Sequence, residues 1–379
     1  MLLKIFILLI PTVFSIDNTR PRIDTKGQLM DVHDGNVIKH NNTYYWYGMG
    51  YTNCTLEKGV IPPYNCPGIY LKFGHCGFRT DHAINLYTSP DLESWTFVKN
   101  VFPESARPEG IYFRPKVSFK VSNFATSFQL VVNCYFLTLK VIYNSNTEKF
   151  VLWINHLPPA SSPLASYPNA GLLVATSEFP DGTFQVVTEK ANLAVSGGAD
   201  FNLMVDPNDI YGTAYLVYDA WGNNHIMRIE KLTYDYTDSL KDLTTGEITP
   251  SGNEAPILFE RQGLYYLIFG HICCFCQQGS GASVWIANHP LGPWNDTKVD
   301  INPNHIINGR EIKAQTNYVV QVERENGKVD YLYTGDLWSS APDGLKSHDI
   351  QYWSPPLEFD DSGNIKPMHF VKQFPVDLS

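Results

Sequence analysis

Charged side chains are scarce in this chain, 17% of 379 residues, and basic ones scarcer still: 28 Lys and Arg stand against 38 Asp and Glu, for a net charge of −10. A chain so poor in positive charge offers no electrostatic footprint for nucleic acid or an anionic membrane surface. A neutral partner is expected instead. Long apolar runs are missing as well, since the one near the start, residues 5–14, is too short to span a bilayer. No stretch keeps a helical period long enough for an extended amphipathic helix. His-Glu-x-x-His, Gly-x-Ser-x-Gly and phosphate-cradling glycine patterns are absent too, so metalloprotease, serine-hydrolase and nucleotide-binding chemistries have no residues to carry them.

What is present begins with an address. Lys4, the apolar run that follows it and the small residue Ser15 have the build of a secretory signal peptide, residues 1–15, ahead of a single domain over residues 16–379. Export is therefore expected. Asn41-Asn42-Thr43, Asn53-Cys54-Thr55 and Asn295-Asp296-Thr297 are N-glycosylation acceptors, which agrees with export and with surface positions there. Of the seven cysteines, Cys54, Cys66 and Cys76 cluster early, Cys273, Cys274 and Cys276 late, and Cys134 stands apart. In an oxidising compartment disulfides are their default fate, with the pairing left open.

The rest of the chain repeats. Tyr44–Gly48, Phe150–Asn155, Ala214–Asp219, Tyr265–Gly270 and Tyr331–Asp336 are variants of one β-branched and aromatic strand, each preceded by a polar turn. Several lead to a second strand and a Pro or Asp turn, as in Leu86–Trp95 and Val284–Trp294. Five such units predict an all-β fold, a five-bladed β-propeller around a central channel, with a β-sandwich as the alternative. Three carboxylates precede the strands at comparable offsets: Asp34 ten residues before Tyr44, Asp200 fourteen before Ala214 and Glu254 eleven before Tyr265. Equivalent offsets in separate blades mean equivalent places in space, so the three acids should converge on the channel. A packed core would not gather them, because each raises the cost of ionising the others. Pro256 makes Glu254-Ala255 a strand entrance rather than part of a helix.

One segment interrupts the pattern. Arg114-Pro115-Lys116 would run directly into Val141-Ile142-Tyr143-Asn144 if residues 117–140 were removed. Val-Ser and Lys at its borders are compatible with splice-donor and acceptor codons, and removing it also removes Cys134, leaving an even number of cysteines. The segment reads as a translated retained intron. The alternative is a long surface insertion.

The blocks His33-Asp34-Gly35 with Tyr44-Tyr45-Trp46-Tyr47-Gly48, Arg114-Pro115-Lys116, Asp200–Met204, Glu254-Ala255-Pro256 and Pro290–Trp294 together resemble glycoside hydrolase family 43. Within it, the Tyr-Tyr-Trp-Tyr-Gly and Arg-Pro-Lys blocks are most similar to the exo-β-1,3-galactanase-like branch. The resemblance implies a five-bladed propeller and an inverting glycosidase, with Asp34 as general base, Glu254 as general acid and Asp200 as the residue that tunes and orients the acid. Inversion needs an acid on one face of the sugar and a base on the other with room for water between them. The resemblance also has departures: galactanase-like members carry Gly at the position of Asp34 and Glu at those of Met49 and Phe113, which sets galactan specificity in question. Gln315 lies in the block that supplies an alternative water-positioning residue in that branch. Trp221, His271 and Trp338 follow strand ends and are candidates for contact with sugar. The expected function is cleavage of O-glycosidic bonds in a neutral galactan- or arabinan-type polysaccharide, with no cofactor and the question of a channel calcium left open. The alternative is a catalytically silent propeller that binds glycans.

Overall fold

The structure, a computed structural model, describes residues 15–52, 60–61, 66–67, 79–118, 147–161, 166–220, 224–272, 277–305 and 309–379. Residues 1–14 of the leader, the cysteine side chains, the Asn53 sequon, Trp221 and most of the 117–140 segment lie outside the described residues. Asn41 and Asn295, the other two glycan acceptors, are exposed.

Five antiparallel sheets, read in chain order, form the blades of a propeller. Blade I pairs His33–His40, Thr43–Gly50, Ala83–Ser89 and Thr96–Asn100, and blade II pairs Ile111–Ser118, Phe150–Leu157, Gly171–Ser177 and Gln185–Thr188. Blade III comprises Gly198–Val205, Ala214–Ala220, Met227–Leu232 and Ser239–Thr244. Blade IV comprises Asn253–Arg261, Leu264–His271, Ser283–Ala287 and Asn295–Asp300, and blade V the three strands Gln315–Glu323, Val329–Leu337 and Ile350–Pro356. The first strand of each blade is innermost. The repeated aromatic strand of the sequence is the second strand of every blade.

These second strands are apolar at nearly every position because both of their faces are covered. Side chains alternate across a strand, so in blade IV Tyr266 and Ile268 join a cluster with Val319, Tyr333 and Tyr352 of blade V, while Tyr265 and Leu267 join one with Met204, Tyr215 and Val217 of blade III. Equivalent clusters lie between blades I and II, II and III, and V and I. The core is thus a ring of inter-blade seams around a polar axis. At the V–I seam Trp46, Trp95 and Trp353 pack with ring centroids 5.2–6.4 Å apart, and the Arg22 guanidinium lies over two of them, 5.6 Å from Trp46 and 5.0 Å from Trp353.

Near the start of each blade's innermost strand the ladder register breaks: between His33 and Asn36, Phe113 and Lys116, Gly198 and Phe201, Glu254 and Ile257, and Thr316 and Tyr318. A bulge re-aims the residues inside it. Three of these breaks hold a residue other than glycine in the left-handed region, Asp34 at φ 55°, Arg114 at φ 50° and Ala255 at φ 56°. Pro115 and Pro256 sit in the breaks as well, where a missing amide hydrogen costs the sheet nothing. At Gly35 a Cβ would come within 1.6 Å of the Tyr47 carbonyl oxygen, so only glycine fits beside Asp34.

Candidate active site

The five bulges put one end of each innermost strand around the axis, and Arg114 ties them together. Its Nε lies 2.6 Å from Asp200 Oδ1, its NH2 group 3.7 Å from Asp34 Oδ1, and its NH1 group donates to the Thr316 carbonyl at 3.3 Å. Burial by itself would favour loss of its proton. The charges of Asp200, Asp34, Glu254 and Asp336 more than reverse this and hold the guanidinium well above its ordinary pKa. Asp34, Asp200 and Glu254, the three acids expected to converge, therefore surround one buried cation. Two residues further along the strand, Lys116 donates to the carbonyls of Asp34 at 3.0 Å and Gly35 at 2.7 Å and to Asn317 Oδ1 at 2.8 Å. Burial and the neighbouring Arg114 lower its pKa to about 7.

Asp34 is 3% exposed. Its Oδ2 accepts a hydrogen bond from the Tyr51 hydroxyl at 3.1 Å, and its amide donates to Asp336 Oδ2 at 3.1 Å. Burial raises the pKa of its carboxyl, and the Arg114 charge works against that rise. Asp336 also takes a hydrogen bond from His33 Nδ1 at 3.0 Å, which fixes the residue preceding Asp34. The ammonium of Lys346 sits 4.2 Å from the centroid of the Tyr51 ring and 3.1 Å from that of Trp338; burial lowers its pKa to about 8 against the pull of Asp349, Asp34, Asp336 and Asp31.

Glu254 enters from blade IV. Its Oε1 accepts from Gln315 Nε2 at 2.7 Å, and Gln315 Oε1 accepts from Trp338 Nε1 at 2.8 Å. The indole thereby sets which end of the Gln315 amide faces the carboxylate. Thr316 Oγ1 donates to the Ala255 carbonyl at 2.7 Å, tying blade V to the bulge that aims Glu254. Asp219, fully buried at the end of the second strand of blade III, accepts from His225 Nδ1 at 2.5 Å. Its pKa is pushed up to about 6, by burial first, with the His225 hydrogen bond opposing and the charge of Asp200 adding to the rise.

Of the candidates read from sequence, Asp34, Asp200, Glu254 and Gln315 meet in this cluster. Trp338 meets it as well, but at 2% exposure, with Lys346 over its ring, it holds Gln315 rather than presenting an open stacking face. His271 is exposed, opposite Asn253 in the ladder and so one step beyond the Glu254–Gly270 pair. Met49 and Phe113 are buried. The sequence reading left out Arg114, Lys116, Tyr51, Asp336 and the Asp219–His225 pair as site residues. The signal for Asp336 was present, since Gly335-Asp336 closes one of the five repeated strands. Among the described residues no group of three or more His, Cys, Asp and Glu is disposed to hold a metal ion.

A sequence profile described as Glycosyl hydrolases family 43 matches residues 29–332. No curated protein matches the chain. Among solved structures, an exo-β-1,3-galactanase from Phanerochaete chrysosporium, determined with galactose, is similar over 96% of this chain and 69% of its own, at 20% identity and a TM-score of 0.68. An exo-β-1,3-galactanase from Clostridium thermocellum is similar over 96% and 67%, at 22% identity and a TM-score of 0.67. An endo-1,4-β-xylanase from Bacteroides thetaiotaomicron shares the fold over 90% and 96%, at 16% identity and a TM-score of 0.57.

Proposed function

The chain belongs to glycosyl hydrolases family 43 and is a glycoside hydrolase with a carbohydrate substrate; on that premise we propose that it is an exported enzyme cleaving galactan chains with inversion at the anomeric carbon. The observation that carries the reading is the assembly of Asp34, Asp200 and Glu254 around Arg114. Glu254 donates a proton to the glycosidic oxygen as the bond to the anomeric carbon breaks. Asp34, across the axis on blade I, takes a proton from the water that attacks the opposite face. Asp200, held by Arg114, orients the acid. Gln315, bonded to Glu254, orients it and is the alternative water-positioning residue. The leader-like residues 1–15 support export. The galactanases among the similar folds support galactan over arabinan.

Glu254→Gln and Asp34→Asn are each expected to lower kcat on β-1,3-galactan by about 10²–10⁴-fold, the usual contribution of a positioned acid or base. Sugar release is measured on galactan, arabinan and xylan for the parent and both variants. Release from arabinan alone would replace the substrate. A folded parent that binds a glycan and releases nothing would replace the enzyme with a glycan-binding propeller.

A further inference from the structure

Trp338 directly follows the second strand of blade V, and Gln315 opens the innermost strand of the same blade, paired in the ladder with Asp336. Two hydrogen bonds carry the direction of the indole across the seam to blade IV: Trp338 Nε1 donates to Gln315 Oε1 at 2.8 Å, and Gln315 Nε2 to Glu254 Oε1 at 2.7 Å. All three side chains are buried. The two ends of a glutamine amide have almost the same shape, so packing alone does not choose between them, whereas an indole N–H only donates and admits the amide oxygen alone. The NH2 end is thereby turned to Glu254. The donor is itself fixed, because the Trp338 ring lies against the Lys346 ammonium, 3.1 Å from its centroid, and edge-on to Tyr51, with centroids 6.0 Å apart at 83°. A cation on the ring face polarises the indole and strengthens its N–H as a donor.

The direction of that amide matters to a general acid. With an N–H on Oε1, the proton of the Glu254 carboxyl belongs on Oε2, and from there it passes to the glycosidic oxygen as that oxygen takes up the electron pair of the breaking bond. A reversed amide would present its oxygen instead. That oxygen would accept the acidic proton and hold it away from the substrate. We infer that Trp338 is a positioning residue for the general acid, locking Gln315 in the one orientation that does not take up the Glu254 proton. The inference rests on the glycosidase reading above.

Two changes delete the donor. Trp338→Phe keeps an aromatic ring, and benzothienylalanine placed at position 338 keeps the two-ring shape and loses only the N–H, so it remains informative if the phenylalanine variant does not fold. Parent and variants are assayed on β-1,3-galactobiose, whose leaving sugar must be protonated, and on 2,4-dinitrophenyl β-galactoside, whose leaving group departs without an acid. On the disaccharide kcat should fall at least about tenfold, a share of the 10²–10⁴ that a positioned acid supplies, with KM unchanged and the aryl galactoside within twofold of the parent. A merely structural role moves both substrates together. Losses on the aryl galactoside as large as those on the disaccharide, or no loss on either, overturn the positioning role while the glycosidase reading stands. A folded parent that cleaves neither substrate overturns that reading and the positioning role with it.

Discussion

Asp34 holds φ at 55°, and Gly35 beside it admits no side chain. Left-handed backbone at a residue other than glycine costs about 1–2 kcal/mol, and the site carries that strain at Asp34 and Arg114 together. It is held by directed bonds: Lys116 on the Asp34 carbonyl, Asp336 on its amide and Tyr51 on its carboxylate. The Tyr51 hydroxyl favours the ionised form of Asp34. Tyr51→Phe therefore raises the Asp34 pKa further, and since the base works only when ionised, the acidic limb of the kcat/KM profile should move to higher pH with the alkaline limb unchanged. A limb that stays in place or moves down would separate Asp34 from the base role. The three acids were legible in the sequence because each precedes a repeated strand at a similar offset. The hub was not. Nothing in Arg114-Pro115-Lys116 says that its guanidinium faces acids from other blades, since that follows from the bulge and the ring closure together.

The innermost strands show how far local sequence goes. Pro115 and Pro256 signal that the ladder is interrupted, and the structure puts a register break at both. In blade II the same strand continues through Val117 and Ser118, paired with Leu152 and Val151. Val117 is 2% exposed. A chain lacking residues 117–140 would bring Val141 and Ile142 to those two rungs, valine for valine at the buried one. We expect that deletion variant to unfold cooperatively in urea with a midpoint no lower than the parent's, and the spliced transcript to join Lys116 to Val141. Loss of cooperative unfolding would mark the segment as part of the fold. The second strand of every blade was legible from its β-branched and aromatic residues and the polar turn before it, whereas the innermost strand of blade II was obscured because its hairpin partner stands far away in sequence.

At the scale of the molecule, five inter-blade seams make a closed ring, and its closure involves both ends of the described chain. Ile16 and Asp17 pair with Phe374 and Gln373. Asn18, 1% exposed, then bonds to the outer strand of blade V and to the segment beyond it: its Nδ2 donates to the carbonyls of Trp353 and Val371, each at 2.8 Å, and its Oδ1 accepts from the Trp353 amide at 3.0 Å. This closure was not visible in the sequence, where Asn18 is one polar residue among several. Asn18→Ala leaves buried backbone groups without partners, at about 1–3 kcal/mol; urea denaturation should show a loss of that size with activity per folded molecule retained, and a change under 0.5 kcal/mol would remove Asn18 from the closure. The propeller brings acids from blades I, III and IV to one axis, and the central claim is that Asp34 and Glu254 there act on opposite faces of a sugar. Following the first minutes of β-1,3-galactan digestion by proton NMR tests it most directly. The account predicts that galactose appears first as the α-anomer and only later mutarotates; β-anomer first, or no galactose, would contradict it.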